Sequence, residues 1–243
     1  MSALGYSKGH AHELVLVASI TAAAAFAWWY MIRMAGMMPA MPADAAPFAA
    51  MVTMWAVMMV AMMLPGAMPS LLSMAALARR RPGAAPVLPY LFATGYLLAW
   101  TGYAAAAAGA QYALDAMSLF AAGSRVESSV LAGGLLVAAG AFQLTPLKDV
   151  CLRYCRSPFG LLAAGPPEGI RATVGLGLRQ GLYCIGCCWA LMLLMFVFGV
   201  MNLAWMALLT LLILVEKLAG GRWHLVRWVG VALMIGGVWL MLA

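Results

Sequence analysis

Charged residues are scarce in this sequence. They make up 9% of the 243 residues, whereas hydrophobic residues make up 66%. A soluble domain of this length could not hide so much apolar side chain in one core, so the composition excludes an ordinary soluble protein. It predicts an all-α, polytopic bundle of transmembrane helices, with residues 1–243 forming a single membrane domain and the lipid bilayer as its main partner.

The chain also lacks a glycine-rich nucleotide-binding loop of the P-loop type. Active pumping by this chain alone is therefore not expected, and the sequence favours a binding protein over an enzyme.

Apolar runs long enough to cross the hydrocarbon layer, each of roughly 20 residues, recur along the chain. We predict about seven spans. They cover residues 14–32, 51–77, 87–114, 130–147, 182–201, 203–215 and 225–242. The sixth span is short and follows the fifth almost directly at Asn202, so the two segments could form either a tight hairpin or a re-entrant pair.

The net charge of +7 follows from where the basic residues fall between the spans. With a cytoplasmic N-terminus, only Arg33 and Arg125 lie outside, and the positive-inside rule gives an N-in, C-out orientation. Residues 1–13 are then a cytoplasmic tail and residues 148–181 a cytoplasmic loop. Because topology alone explains the basic charge, nucleic acid is not expected as a partner. The residues counted as inside are Lys8, Arg79, Arg80, Arg81, Lys148, Arg153, Arg156, Arg171, Arg179, Lys217, Arg222 and Arg227.

Cysteine is absent except between residues 151 and 188. Cys151 and Cys155 form a C-x-x-x-C pair, and Cys184, Cys187 and Cys188 form C-x-x-C-C. A disulfide framework is disfavoured on the reducing side of the membrane. Thiolates select soft metals, and Cu(I), which tolerates two or three sulfur ligands, is favoured over zinc, which also binds cysteine.

Methionine adds thioether sulfur to this pattern. Helical spacing places Cys184, Cys188, Met192 and Met195 on one stripe of the fifth span, with Cys187 beside it. The second span carries another stripe, with two more methionines, at 59 and 63, on the adjoining face and a predicted kink at Pro65. An external methionine-rich segment, residues 34–42, precedes it. Such stripes are typical of core packing as well as of soft-metal binding. The stripe of the second span consists of Met51, Met54, Met58 and Met62.

The remaining polar and small residues have structural interpretations. Gln143 needs a buried partner, Asn202 is expected to cap a turn, and Glu216 is expected to pair with an arginine. The third span repeats small residues that let another helix approach closely. These are Gly95, Ala99, Gly102, Ala106 and Gly109, and Gly133, Gly134 and Gly140 have the same character in the fourth span.

The sequence predicts a soft-metal protein with a track of sulfur ligands across the membrane. The methionines give weak, exchangeable steps, and Cys184, Cys187 and Cys188 form a tight site that Cys151 and Cys155 could join. Transport, storage and delivery to a metal chaperone or metalloprotein remain open. The alternative is a membrane thiol–disulfide oxidoreductase in which Cys184 and Cys187 exchange electrons with Cys151 and Cys155.

These motifs also resemble those of the bacterial family of predicted metal-binding integral membrane proteins of otherwise unknown function. The resemblance covers most of the chain between the second and sixth spans, and it implies a multi-pass protein of the bacterial inner membrane. It implies no established reaction. The residues that carry it are Trp55, Met58, Met59, Ala61, Met62, Met63, Pro65, Pro146, Leu147, Lys148, Cys151, Cys155, Arg156, Cys184, Gly186, Cys187, Cys188, Trp189, Met201, Asn202, Trp205, Met206, Glu216 and Lys217.

Overall fold

The computed structural model describes residues 3–37, 48–79, 87–117, 120–121, 125–156, 169–218 and 223–242. Nearly all of these described residues are helical. The helices are α1 (Ala3–Met37), α2 (Phe48–Met63), a 3-10 turn (Pro65–Ala67), α3 (Met68–Arg79), α4 (Leu88–Ala116), α5 (Ser129–Gln143), α6 (Pro146–Arg156), α7 (Gly169–Phe198), α8 (Leu203–Leu218) and α9 (Trp223–Leu242). Two short strands, β1 (Phe120–Ala121) and β2 (Arg125–Val126), pair antiparallel between α4 and α5.

Three helices are long and apolar enough to cross a membrane, namely α1, α7 and α9. Two bent pairs raise the number to five if each pair is one span: α2 with the segment through α3, bent by 47°, and α5 with α6, bent by 66°. The structure therefore supports three to five spans, where the sequence predicts seven. The helix α8 has only 16 residues, and α4, although it has 29 residues, is not among the candidate spans.

The longest candidate span inside the bundle, α7, begins 13 residues before the predicted start at residue 182. Glycine explains the extension, because α7 packs backbone to backbone against α4 here. A Cβ at Gly177 would lie 2.0 Å from the carbonyl oxygen of Phe92, and one at Gly95 would lie 2.0 Å from that of Val174. The first half of α7 is thus held by close helix packing, which a hydropathy pattern does not register.

Not every small residue of α4 serves this packing. Gly95 and Ala99 face α7, whereas Gly102 and Gly109 have open space where a Cβ would stand. In α5, Gly133 and Gly140 contact the backbone of α9 at Gly237 and Gly230. The predicted close-packing role is therefore confirmed for one face of α4 and for α5.

The α7–α8 connection is a tight turn. Gly199 adopts a φ of +98°, which favours glycine and ends α7. The side-chain oxygen of Asn202 then accepts a hydrogen bond from the backbone N–H of Trp205 at 3.3 Å. Asn202 caps α8, as predicted.

The expected loops are partly helical. Of the predicted loop 148–181, α6 and the first turns of α7 occupy the described part, and residues 157–168 lie outside it. Residues 3–13 of the predicted tail belong to α1, which continues through residue 37. Residues 34–37 of the external methionine-rich segment form the end of α1. Residues 38–42 of that segment lie outside the described residues.

Candidate metal centre

The three cysteines of α7 lie about halfway along the helix and are buried. Cys184, Cys187 and Cys188 are each at most 2% exposed. The sequence places them at the inner end of a span, but the N-terminal extension of α7 moves them to its middle. The helices α2, α4, α6 and α8 all contribute side chains around them.

A fourth thiol reaches this cluster from α6. The sulfurs of Cys155, Cys184 and Cys187 all lie within 4.8 Å of one another. Three sulfurs bound at about 2.3 Å to one ion lie about 4 Å apart, so this spacing suits a shared soft metal. The packing of α6 against α7 brings the two cysteine motifs together at this point.

The other two cysteines lie beside the triad of Cys155, Cys184 and Cys187. Cys188 Sγ donates a hydrogen bond to the Cys184 carbonyl at 2.9 Å and lies 4.0 Å from Met63 Sδ. Cys151 is half-buried, and its sulfur lies 3.0 Å from where a Cβ of Gly186 would stand. Glycine at 186 thus gives Cys151 room against α7, one helical turn from Cys155.

The methionine that approaches the cysteines comes from the adjoining face of α2. Met63 ends the helix and is fully buried. The stripes predicted to form the track are also buried, each residue at 8% exposure or less, and metal binding by them stays a prediction. Their residues are Met51, Met54, Met58, Met62, Met192 and Met195.

Two polar groups contact the sulfur of Cys184. Lys217 Nζ of α8 lies 2.9 Å from it, and the Tyr96 hydroxyl of α4 lies 3.0 Å from it. Tyr96 also donates to the carbonyl oxygen of Met63 at 3.2 Å. The break after α2, predicted from Pro65, gives Lys217 its place, since a Cβ at Gly66 would be 3.2 Å from Nζ.

A buried polar cluster fastens α6 beside the triad. Glu216 receives hydrogen bonds from Lys148 at 2.8 Å and from Gln143 at 3.0 Å. Lys148 also donates to Gln143. At the other end of α6, Arg156 donates to the backbone oxygen of Glu216 at 2.7 Å. Gln143 therefore has the buried partner predicted for it, but the carboxylate of Glu216 pairs with a lysine and not with an arginine.

These contacts correct the interpretation of two basic residues. The positive-inside argument counts Lys148 and Lys217 as loop charges, yet they are 0% and 6% exposed. A lysine is almost never buried unless it is paired. The sequence signal was present, because both sit within or beside apolar segments, but their partners come from distant helices.

The fold and the centre define a class of protein: a bundle of apolar helices that encloses a cysteine triad suited to a soft metal. The model of a family described as PpoB2, copper chaperone, matches residues 52–240 of the chain. The chain belongs to this copper chaperone family. No curated protein and no solved structure matches it.

Proposed function

We propose that this protein is a copper chaperone of the bacterial inner membrane that holds Cu(I) at Cys155, Cys184 and Cys187 and delivers it to a metalloprotein or a second metal chaperone. The observation that carries the proposal is the meeting of three thiol sulfurs from α6 and α7 within 4.8 Å. Three sulfurs within this distance suit Cu(I), which tolerates two or three sulfur ligands, while structural zinc sites usually have four ligands.

Exchange of the ion requires weaker ligands next to the tight site. Cys188 and Met63 supply a thiol and a thioether at the α2 side of the triad, 4.0 Å apart. Beyond them, the buried methionine stripes at residues 51, 54, 58 and 62 of α2 and at 192 and 195 of α7 extend the sulfur track. Cys151, half-buried on α6, offers an exchange ligand on the other side.

The proposed topology is multi-pass with the N-terminus in the cytoplasm and the C-terminus outside. The seven spans predicted from the sequence place the termini on opposite sides, as three or five spans would. The orientation rests on the positive-inside rule in the seven-span arrangement, in which the exposed arginines Arg79 and Arg153 lie on the cytoplasmic side.

Removal of single thiols tests the site. Cys155→Ser and Cys187→Ser are expected to weaken Cu(I) binding about 100-fold or more, because even changes beside metal ligands cost about 10–100-fold. Cys151→Ser is the comparison variant: it removes a thiol from the same helix, outside the triad, and is expected to lower the equilibrium affinity far less than Cys155→Ser.

The measurement is anaerobic competition of the detergent-purified protein with a coloured Cu(I) chelator. Equal affinities of the wild type and the Cys155→Ser variant would rule out the triad as the site. Failure of the wild type to bind Cu(I) would refute the proposed function.

The close approach of the three sulfurs also suits the thiol–disulfide alternative. All five cysteines are free in the structure. An oxidoreductase must cycle between dithiol and disulfide during turnover, whereas a chaperone keeps its thiols reduced. A thiol count that falls reversibly on mild oxidation, together with electron transfer by copper-free protein, would favour the enzyme.

A further inference from the structure

The side chain of Lys217 is a buried cation that faces sulfur. Its ammonium group lies 2.9 Å from Cys184 Sγ and 3.8 Å from Met63 Sδ. Isolated buried ammonium groups are strongly unfavourable, so such a group requires a counter-charge or full hydrogen bonding. The contact with Cys184 places that counter-charge within the triad.

The neighbouring carboxylate is already engaged elsewhere. Glu216 pairs with Lys148 at 2.8 Å, and the two side chains point to different partners from successive positions of α8. Within the described ranges, the structure gives Lys217 no carboxylate partner. Its positive charge is therefore available to the metal centre.

We propose that Lys217 is a specificity-determining residue that favours Cu(I) over Zn(II) at the triad. This inference rests on the proposed function. Three thiolates with Cu(I) carry two net negative charges, whereas the same thiolates with Zn(II) carry one. A fixed ammonium group therefore stabilises the Cu(I) complex more than the Zn(II) complex.

Coordination works in the same direction. Structural zinc sites take four ligands, and an ammonium group has three donors and no lone pair to offer a metal. Lys217 occupies the space beside Cys184 and Met63 with a group that cannot bind a metal. On this side of Cys184, a zinc ion therefore gains no further ligand.

Gly66 keeps Lys217 at this position. A Cβ at Gly66 would lie 3.2 Å from both Cδ and Nζ of the lysine, closer than ordinary van der Waals contact. Gly66→Ala should push the ammonium group away without removing it, which gives a second test that retains all the sulfur ligands.

The experiment measures Cu(I) and Zn(II) affinities of the detergent-purified full chain by competition with metal-specific chelators. Lys217→Leu removes the charge and adds no donor atom that could bind a metal. We expect the ratio of Cu(I) to Zn(II) affinity to fall by about 10–100-fold, the size of effect for one unit charge at a few ångströms in a partly screened interior. Gly66→Ala should lower the ratio in the same direction by a smaller factor.

The control is Arg79→Leu, which removes an exposed cation that pairs with Glu13 at 2.6 Å; its ratio should equal that of the wild type. A folding defect would weaken the binding of both metals together, so the ratio of Cu(I) to Zn(II) affinity reports the effect of the charge. An unchanged ratio in Lys217→Leu overturns the inference, as does an unchanged ratio in Gly66→Ala if Lys217→Leu does not fold. Cu(I) binding by the wild type leaves the proposed function standing in either case. A wild type that binds no Cu(I) removes both.

Discussion

Replacing Glu216 by glutamine is expected to destabilise the fold by about 3–5 kcal/mol, the cost of breaking a buried ion pair by removing one partner. The side chains of Lys148 and Glu216 are 0% and 2% exposed, and their charged groups are 2.8 Å apart. Glutamine nearly preserves the shape but leaves the ammonium group of Lys148 buried with only neutral oxygen acceptors. The penalty therefore comes from uncompensated charge and not from a cavity.

The double variant Lys148→Met with Glu216→Gln provides the control. It removes both charges and keeps an amide at position 216 as a partner for Gln143. Because no buried charge is left without a partner, it should be more stable than Glu216→Gln alone. Unfolding of each variant in mixed micelles, followed by circular dichroism, measures the differences. A loss below about 1 kcal/mol for Glu216→Gln, as is usual for an exposed pair, would refute the reasoning, as would a double variant less stable than the single one.

Two further predictions concern the helices that enclose the centre. Gly177→Ala should cost at least about 1–3 kcal/mol of unfolding free energy, because its Cβ would meet the Phe92 carbonyl at 2.0 Å and force α4 from α7; Gly102→Ala, which faces open space, should be neutral or stabilising by up to about 1 kcal/mol. Equal stabilities of these two variants in the same micelle assay would contradict the packing argument. Asn202→Ala should cost about 1 kcal/mol by removing the cap of α8, and Asn202→Asp, which keeps the acceptor oxygen, should restore most of it.

The residues of the candidate metal centre all lie within the part of the chain that matches the family. The family match covers residues 52–240, and this range holds every residue of the triad as well as the polar cluster that fastens α6. Cys155 lies between Lys148 and Arg156, which both bind Glu216. The position of one thiol of the triad thus depends on a polar cluster that contains no metal ligand.

The sequence by itself determined the helical, apolar character of the chain and the set of thiols. Composition and helical periodicity can be read without knowing which segments are in contact. Helical spacing also determined that Cys184 and Cys188 share a face with Met192. Capping by Asn202 was predictable for the same reason, since a cap involves residues a few positions apart.

Only the tertiary structure decided which side chains meet. Cys155 joins Cys184 and Cys187 while Cys151 faces Gly186, and Met63, not the neighbouring stripe, approaches Cys188. The burial of Lys148 and Lys217 and the early start of α7 depend in the same way on contacts between distant helices. Periodicity assigns a residue to a face, but it does not state which helix packs against that face or how a buried charge is compensated.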